Sequence, residues 1–256
     1  MLARLSNSLL GFLIGLGRMT AFVIRIIKTL ATTRLSSKLV IQQMYDIGIK
    51  TLPVLAAVCI FVGTNIALVG FHIFKQFGGQ DLIGAYVGLT CIREMAPILV
   101  GAIMAAKPGT DISATIATMK VKQQIDALEV MAVDPFWFLI APRIVAFVLV
   151  SPILVVFADF FCVGAAYLIS IFQLKINSGK FINDMVTYLQ YIDFFKGIAK
   201  GLISSLLVCI ISCYFGYNSE PGPKGVSRAI NISVVLESSL IVIINYFLTE
   251  LMYGVK

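Results

Sequence analysis

The sequence predicts an all-α polytopic membrane protein. Three observations carry that prediction: 59% hydrophobic against 13% charged residues, a mean hydropathy of +0.96, and apolar runs that are long and unbroken. Soluble domains carry roughly 25% charged residues, so this chain lacks the polar surface that water demands. In lipid an outward side chain can be apolar, provided every backbone polar group is paired within a helix or a closed barrel. Barrel strands would alternate in polarity over short segments, and these runs do not. About 20 apolar residues cross the hydrocarbon once, so the length supports roughly five or six crossings in one membrane domain.

The formal charge is +7, from 20 Lys and Arg against 13 Asp and Glu. Nucleic-acid binding is one reading of such an excess. Here Arg4, Arg18, Arg25, Lys28, Arg34 and Lys38 are interleaved with apolar residues, which suits anionic lipid headgroups instead, and no nucleic-acid partner is expected. Cys59, Cys91, Cys162, Cys209 and Cys213 lie in apolar segments without clustered histidines or carboxylates. They read as small hydrophobes, and no metal site is predicted. The sole histidine, His72, follows an apolar run and marks an interface. The first residues lack a cleavable secretory pattern, so the opening segment is expected to be retained.

From Leu9 to Leu30 the chain is apolar, yet Arg18, Arg25 and Lys28 recur at intervals of seven and three. That spacing places them near one stripe of a helix, while Leu13, Leu16, Val23, Ile24 and Ile27 cover the remainder. Residues 1–34 are therefore read as an interfacial or steeply tilted helix rather than a first crossing. Arg34 to Lys50 is mixed and reads as a connection on the cytoplasmic side. Leu52 through Phe71 contains no charge and predicts the first crossing, with Pro53 in its first turn. Lys75 to Asp81 marks the return.

Leu82 through Ala106 is long enough to cross again, with Arg93 and Glu94 near its middle. Ionisable groups at membrane depth should face protein or water. Neighbouring side chains on a helix point about 100° apart, so the two are expected to find separate partners. Pro97 predicts a kink or a short break. Lys107 to Arg143 reads as the main polar connection. Within it Val121, Ile125 and Leu128 share one helical face, and Lys122, Asp126 and Glu129 share the next. Asp134 and Pro135 end that stretch, with Trp137 and Phe138 as headgroup-level anchors. Ile144 through Phe172 predicts a third crossing, containing Pro152 and Asp159. Gly201 through Tyr217 gives a short fourth, and Ala229 to Thr249, containing Glu237, a fifth. Gly84 with Gly88, and Gly197 with Gly201, have the spacing that permits close helix contact. Charge bias puts the N-terminal region and residues 107–143 inside and the C-terminus outside; Lys175, Lys180, Lys196 and Lys200 run against that assignment.

Three strings carry a family resemblance: IREMAPILVGAIMAAKPG from Ile92, TMKVKQQIDALEVMAVDPFWFLIAPR from Thr118, and GVSRAINISVV from Gly225. Through them the chain resembles the MlaE, or YrbE-type, permeases, the membrane subunits of lipid-moving ABC systems. The family's Arg-Glu stands here as Arg93-Glu94, and its Glu-Gln-Ile-Asp-Ala-Leu signature as Gln123 to Leu128. The match is incomplete: Gln123 stands for the signature's glutamate, and three departures elsewhere change the chemistry. Lys107 replaces an arginine without its forked donors, Thr115 stands where the pattern has a carboxylate, and Asn245 replaces an aspartate.

The resemblance implies an MlaE-type permease domain over residues 35–256, with an N-terminal interfacial helix, about five transmembrane helices and a cytoplasmic coupling helix over 119–131. It implies a second copy of the chain, a cytoplasmic ABC ATPase that holds ATP and Mg, an MCE-domain protein of the periplasm or an intermembrane space, a small cytoplasmic accessory subunit, and phospholipid as cargo. The location implied is a bacterial inner membrane, with a plastid inner envelope as the alternative. Val121, Lys122, Ile125, Asp126, Leu128 and Glu129 would couple to the ATPase. A lipid path should be largely apolar with a few polar groups, and Val62, Ile66, Phe71, Tyr86, Leu89, Arg93 and Glu94 are its candidates. A purely structural role for Arg93 and Glu94 stays open. No phosphate loop occurs, so no cofactor or catalytic residue is assigned to this chain. Two other functional classes compete with this one. An intramembrane enzyme would need a His-Glu-x-x-His or Gly-x-Ser-x-Gly motif, which the sequence lacks. An ion-coupled transporter would run its path through Arg93, Glu94, Asp159 and Glu237.

Overall fold

The computed structural model describes residues 2–32 and 35–254, helical almost throughout and without a strand among them. Arg34 and the expected boundary after it lie outside the described residues, as do the side chains of Arg4, Leu13, Leu16 and Asp81. Eight helices organise the described residues. Five are long and apolar enough to cross a membrane: α2 (Ser37–Gln76), α3 (Ile83–Val121), α5 (Phe136–Phe172), α7 (Tyr191–Tyr217) and α8 (Pro223–Tyr253). The others are α1 (Leu2–Thr32), α4 (Gln124–Val130) and α6 (Ser178–Tyr188). This is the all-α polytopic membrane architecture that the apolar runs predict.

The crossing helices reach further than their apolar runs. Residues 37–49, expected as a connection, are the helical start of α2, passing through a π turn at Tyr45–Ile49. α3 continues past Lys107 to Val121, and α5 already begins at Phe136, so the polar connection shrinks to residues 122–135 around α4. α7 begins at Tyr191 and is not short. Two of these readings stop at lysines that the structure accommodates within a helix. Lys50 Nζ sits 2.6 Å from Asp46 Oδ1, and Lys107 Nζ donates to the Lys50 carbonyl. Nor does Pro97 break α3. A π turn at Cys91–Met95 precedes it, and the α-helix resumes at Ala96. Pro152 likewise lies inside α5.

Helix α1 is laid against one end of the bundle by a single stripe. Phe22, Ile26 and Thr29, at spacings of four and three, are buried, whereas Ile24 and Ile27 point outward. The Phe22 ring lies 5.1 Å from Phe136 and 5.4 Å from Tyr214, and the Arg25 guanidinium stacks 4.0 Å above Phe136.

Inside the bundle, small residues set the spacing. α2 buries Leu55, Cys59, Gly63, Ala67 and Gly70 in one stripe, and its closest partner is α5. A Cβ on Gly63 would overlap the carbonyl oxygen of Cys162. Both glycine pairs singled out by spacing are contact points. Gly84 lies against the Phe181 backbone and Gly88 against Met185, which seats α6 across the start of α3. Gly197 faces the Ile92 carbonyl and Gly201 the Val155 side chain. Without a hydrophobic drive between helices in lipid, such close approach supplies the van der Waals contact that holds them.

Gly63→Ala tests this packing. In an open helix the change favours folding by roughly 0.5–1 kcal/mol, but here the helices must part, and a net loss of about 1–3 kcal/mol is expected. Thermal melting in detergent should show a lower midpoint for Gly63→Ala and no loss for Gly164→Ala, where a Cβ meets nothing within 4 Å. Equal midpoints for the two would refute the tight α2–α5 contact.

Candidate functional site

The π turn at Cys91–Met95 sets a part-buried polar cluster between α3, α7 and α8. Proline has no N–H, so Pro97 cannot bond the carbonyl four residues earlier, that of Arg93. Lys200 Nζ on α7 takes that carbonyl at 2.9 Å, and it also reaches Glu94 Oε1 and Thr249 Oγ1, both at 2.8 Å. All three ammonium protons are thereby used, and the Lys200 side chain is 0% exposed. Glu94 Oε2 accepts from Asn245 Nδ2 at 2.9 Å. Arg93 turns to a different partner, its Nη2 lying 2.7 Å from Asp193 Oδ2. Asp193 also accepts from the Gln190 backbone N–H at 3.1 Å, as half of the capping box that starts α7.

The Tyr253 ring closes the cluster, 4.8 Å from the Arg93 guanidinium, 5.1 Å from Lys200 Nζ and 4.4 Å from Lys196 Nζ. Three cations, Arg93, Lys196 and Lys200, therefore stand against two carboxylates, Glu94 and Asp193. Arg93 and Glu94 find separate partners, as their adjacency predicts: Asp193 and Lys200 both stand on α7, and Glu94 adds Asn245 of α8. The cluster also holds residues that sequence reasoning did not assign: Asp193, Lys196, Lys200, Thr249 and Tyr253. Asp193 and Lys200 are seven apart with Gly197 between them, so one face at the start of α7 carries an acid, a base and a close-packing glycine. That pattern was the available signal.

The apolar candidates gather elsewhere. Val62, Ile66 and Tyr86 line one cleft of about 430 Å³ together with Phe61, Asn65 and Val69. Phe71 and Leu89 are half-buried and lie outside that lining. Tyr86 precedes Arg93 by seven residues on α3, about 10 Å along the axis at 1.5 Å per residue. Asp159 and Glu237 are buried, but neither joins the Arg93 cluster by a hydrogen bond among the described residues; Glu237 accepts from Ser212 Oγ at 2.6 Å.

The single helix expected over 119–131 is two. α3 ends at Val121, Gln123 turns left-handed with φ 56°, and α4 follows. Behind α4, Ala132 takes φ 57° while the Val133 N–H bonds the Leu128 carbonyl at 2.9 Å, closing the helix C-terminus. This geometry reverses the expected docking face. Ile125 is 0% exposed, and Val121 and Leu128 are half-buried, so these three seat α4 on its own bundle. The apolar groups left outside are Val130, 88% exposed, and Met131, 63% exposed. Lys122, Asp126 and Glu129 are exposed as expected, with Asp126 2.8 Å from Lys120 Nζ and Glu129 3.4 Å from the Tyr217 hydroxyl.

Comparison with known proteins agrees with this architecture. Residues 40–251 match the family described as Permease MlaE. A Rickettsia typhi protein named "Probable ABC transporter permease protein" is 40% identical over 217 residues, 85% of this chain and 84% of its own. A Rickettsia felis protein of the same description is 36% identical over 259 residues, the full length of both. The intermembrane phospholipid transport system permease protein MlaE of Haemophilus influenzae is 28% identical over 217 residues, 84% of this chain and 83% of its own.

The buried cluster makes a stability prediction. Removing one partner of a buried ion pair costs about 3–5 kcal/mol, because the other charge is stranded, whereas replacing both is far milder. Lys200→Met should lower the melting midpoint in detergent markedly, and Glu94→Gln combined with Lys200→Met should restore most of the loss. A double variant no more stable than the single would show that the two groups are not coupled.

Proposed function

The chain belongs to the MlaE permease family, and from that premise we propose that it is the membrane subunit of an ATP-driven ABC transporter moving phospholipid or a related lipid between the membrane and an MCE-type shuttle. That it is a permease and a membrane protein follows from the family and the five spanning helices. The substrate reading rests on the Arg93 cluster. A cluster with one cation in excess of its carboxylates suits a phosphate, and the Val62, Ile66 and Tyr86 cleft, about 10 Å away along α3 at 1.5 Å per residue, suits acyl chains. The name of the Haemophilus influenzae relative supports phospholipid as the cargo.

Two copies of residues 35–256 form the permease core in this proposal, within a bacterial inner membrane. α1 lies at the cytoplasmic interface, residues 122–135 face the cytoplasm, and the ends of α7 and α8 that carry the Arg93 cluster face outward. ATP and Mg belong to a cytoplasmic ABC ATPase, which docks on the segment 119–131. Val130 and Met131 supply its apolar contact, and Lys122, Asp126 and Glu129 set its register. The MCE protein meets the outer face, and a small accessory subunit sits with the ATPase.

Lipid transfer in proteoliposomes containing permease and ATPase tests the proposal. Transfer is expected with ATP and should be absent with a nonhydrolysable analogue. Transfer driven by a proton or sodium gradient without ATP would overturn it in favour of ion coupling. Val130→Asp with Met131→Asp should reduce ATPase co-purification and transfer together, at least tenfold, with the melting midpoint unchanged because both side chains are already in solvent. Undiminished co-purification would remove the docking assignment.

A further inference from the structure

About 25 Å further along α3 from Glu94, at 1.5 Å per residue, a second polar site opens at the other end of the bundle. It is a cleft of about 370 Å³ between α2, α3 and α5, and its polar lining is Gln43, Asp46, Lys50, Asp111, Thr115 and Arg143. Arg143 enters it from the first turns of α5. The residue is only 6% exposed, and its Nη1 has no hydrogen-bond partner. Among the described residues it makes no ion pair with either carboxylate of the cleft.

A buried guanidinium without a counter-ion is costly, and proteins keep one where an anion completes it. The charges around Arg143 identify which anion. Lys50 is committed to Asp46 at 2.6 Å and, through its carbonyl, to Lys107. Two groups are left without an ion pair among the described residues, the cation Arg143 and the carboxylate Asp111, which is exposed, makes no hydrogen bond and acts on Lys50 only weakly and through space. Thr115 lines the same cleft and supplies no negative charge to Arg143. With two cations and two carboxylates the cleft is neutral as a whole. A simple anion would meet as much repulsion as attraction, whereas a zwitterion matches both open charges.

We propose that this cleft binds a phosphoethanolamine group, its phosphate on the Arg143 guanidinium and its ammonium on Asp111. Arg143 offers paired N–H donors to the phosphate oxygens. The backbone that walls the cleft, the π turn at Tyr45–Ile49, separates it from an apolar groove of about 410 Å³ lined by Tyr45, Ile49, Leu52, Val150, Leu154 and Phe157. A lipid whose headgroup enters the polar cleft can lay an acyl chain along that groove. The site would hold a lipid at the end of the bundle opposite the Arg93 cluster, and it rests on the reading of the chain as a lipid permease.

The test is photolabelling of the full-length protein in phosphatidylglycerol vesicles. The probe is a trace of phosphatidylethanolamine bearing a diazirine near its glycerol, and labelled peptides are mapped. Peptides covering residues 43–50 and 108–115 should be labelled in the natural chain. Labelling there should fall at least tenfold in Arg143→Gln and in Thr115→Glu, which provides Arg143 with an internal carboxylate from an exposed position and so leaves the fold intact. Labelling around residues 61–69 should stay constant. Asp111→Asn should abolish the preference for phosphatidylethanolamine over a phosphatidylglycerol probe. Unchanged labelling of residues 43–50 and 108–115 in both Arg143→Gln and Thr115→Glu overturns the proposal. Displacement by millimolar glycerophosphoethanolamine would identify the headgroup alone as a sufficient ligand, and label retained against it would identify the membrane lipid as the source; either result supports the site. No ATPase is present, so the outcome is independent of whether transport is ATP-driven.

Discussion

Pro97 removes one backbone N–H from the middle of a helix that has no water to replace it, and the consequences of that vacancy organise the polar interior. The freed carbonyl of Arg93 is bonded by Lys200, which could not be buried without acceptors for all its protons. Glu94 and Thr249 provide the other two, and Glu94 in turn recruits Asn245. One missing donor on α3 thus ties α3, α7 and α8 together through charge-assisted bonds. Such bonds are strong because the surroundings exclude water.

That cluster can form only because the helices approach closely. Gly197 sits on the Ile92 carbonyl one turn before Lys200, and Gly201 lies against Val155 directly after it. Larger residues there would hold α7 away from α3 and leave Lys200 short of its acceptors. The polar network and the glycine contacts are thus two parts of one arrangement: small residues set the distance, and the ion pairs fix register and rotation at that distance. The same logic governs α2 and α5 through Gly63, although their contact is apolar.

The bundle differs at its two ends. At one, Arg93, Lys196, Lys200 and Tyr253 gather under a cap formed by the start of α7. At the other, α1 packs its Phe22 stripe against Phe136 and Tyr214, α4 is held by Ile125, and the Arg143 cleft opens between α2, α3 and α5. Exposed Val130 and Met131 belong to the Arg143 end and the charged cluster to the far end, so the two ends present different chemistry.

The sequence by itself determined the all-α membrane class, the five crossings, the amphipathic first helix and the contact role of both glycine pairs. Each depends on composition or on periodicity, which are local properties of the chain. It also marked Arg93 and Glu94 as requiring partners, because charge at membrane depth is costly wherever the partners are. It did not determine that Asp193 and Lys200 are those partners, since the two pairs are separated by about a hundred residues and nothing in the local pattern links them. Helix ends were misplaced for a different reason: Lys50 and Lys107 read as polar loop, whereas Lys50 pairs one helical turn back with Asp46 and the fold brings Lys107 to the Lys50 carbonyl. The segment 119–131 shows the limit most directly. Periodicity located an apolar face at Val121, Ile125 and Leu128, but an apolar face can point toward the protein's own core or toward a partner. Only the left-handed turn at Gln123 and the packing it permits decided for the core.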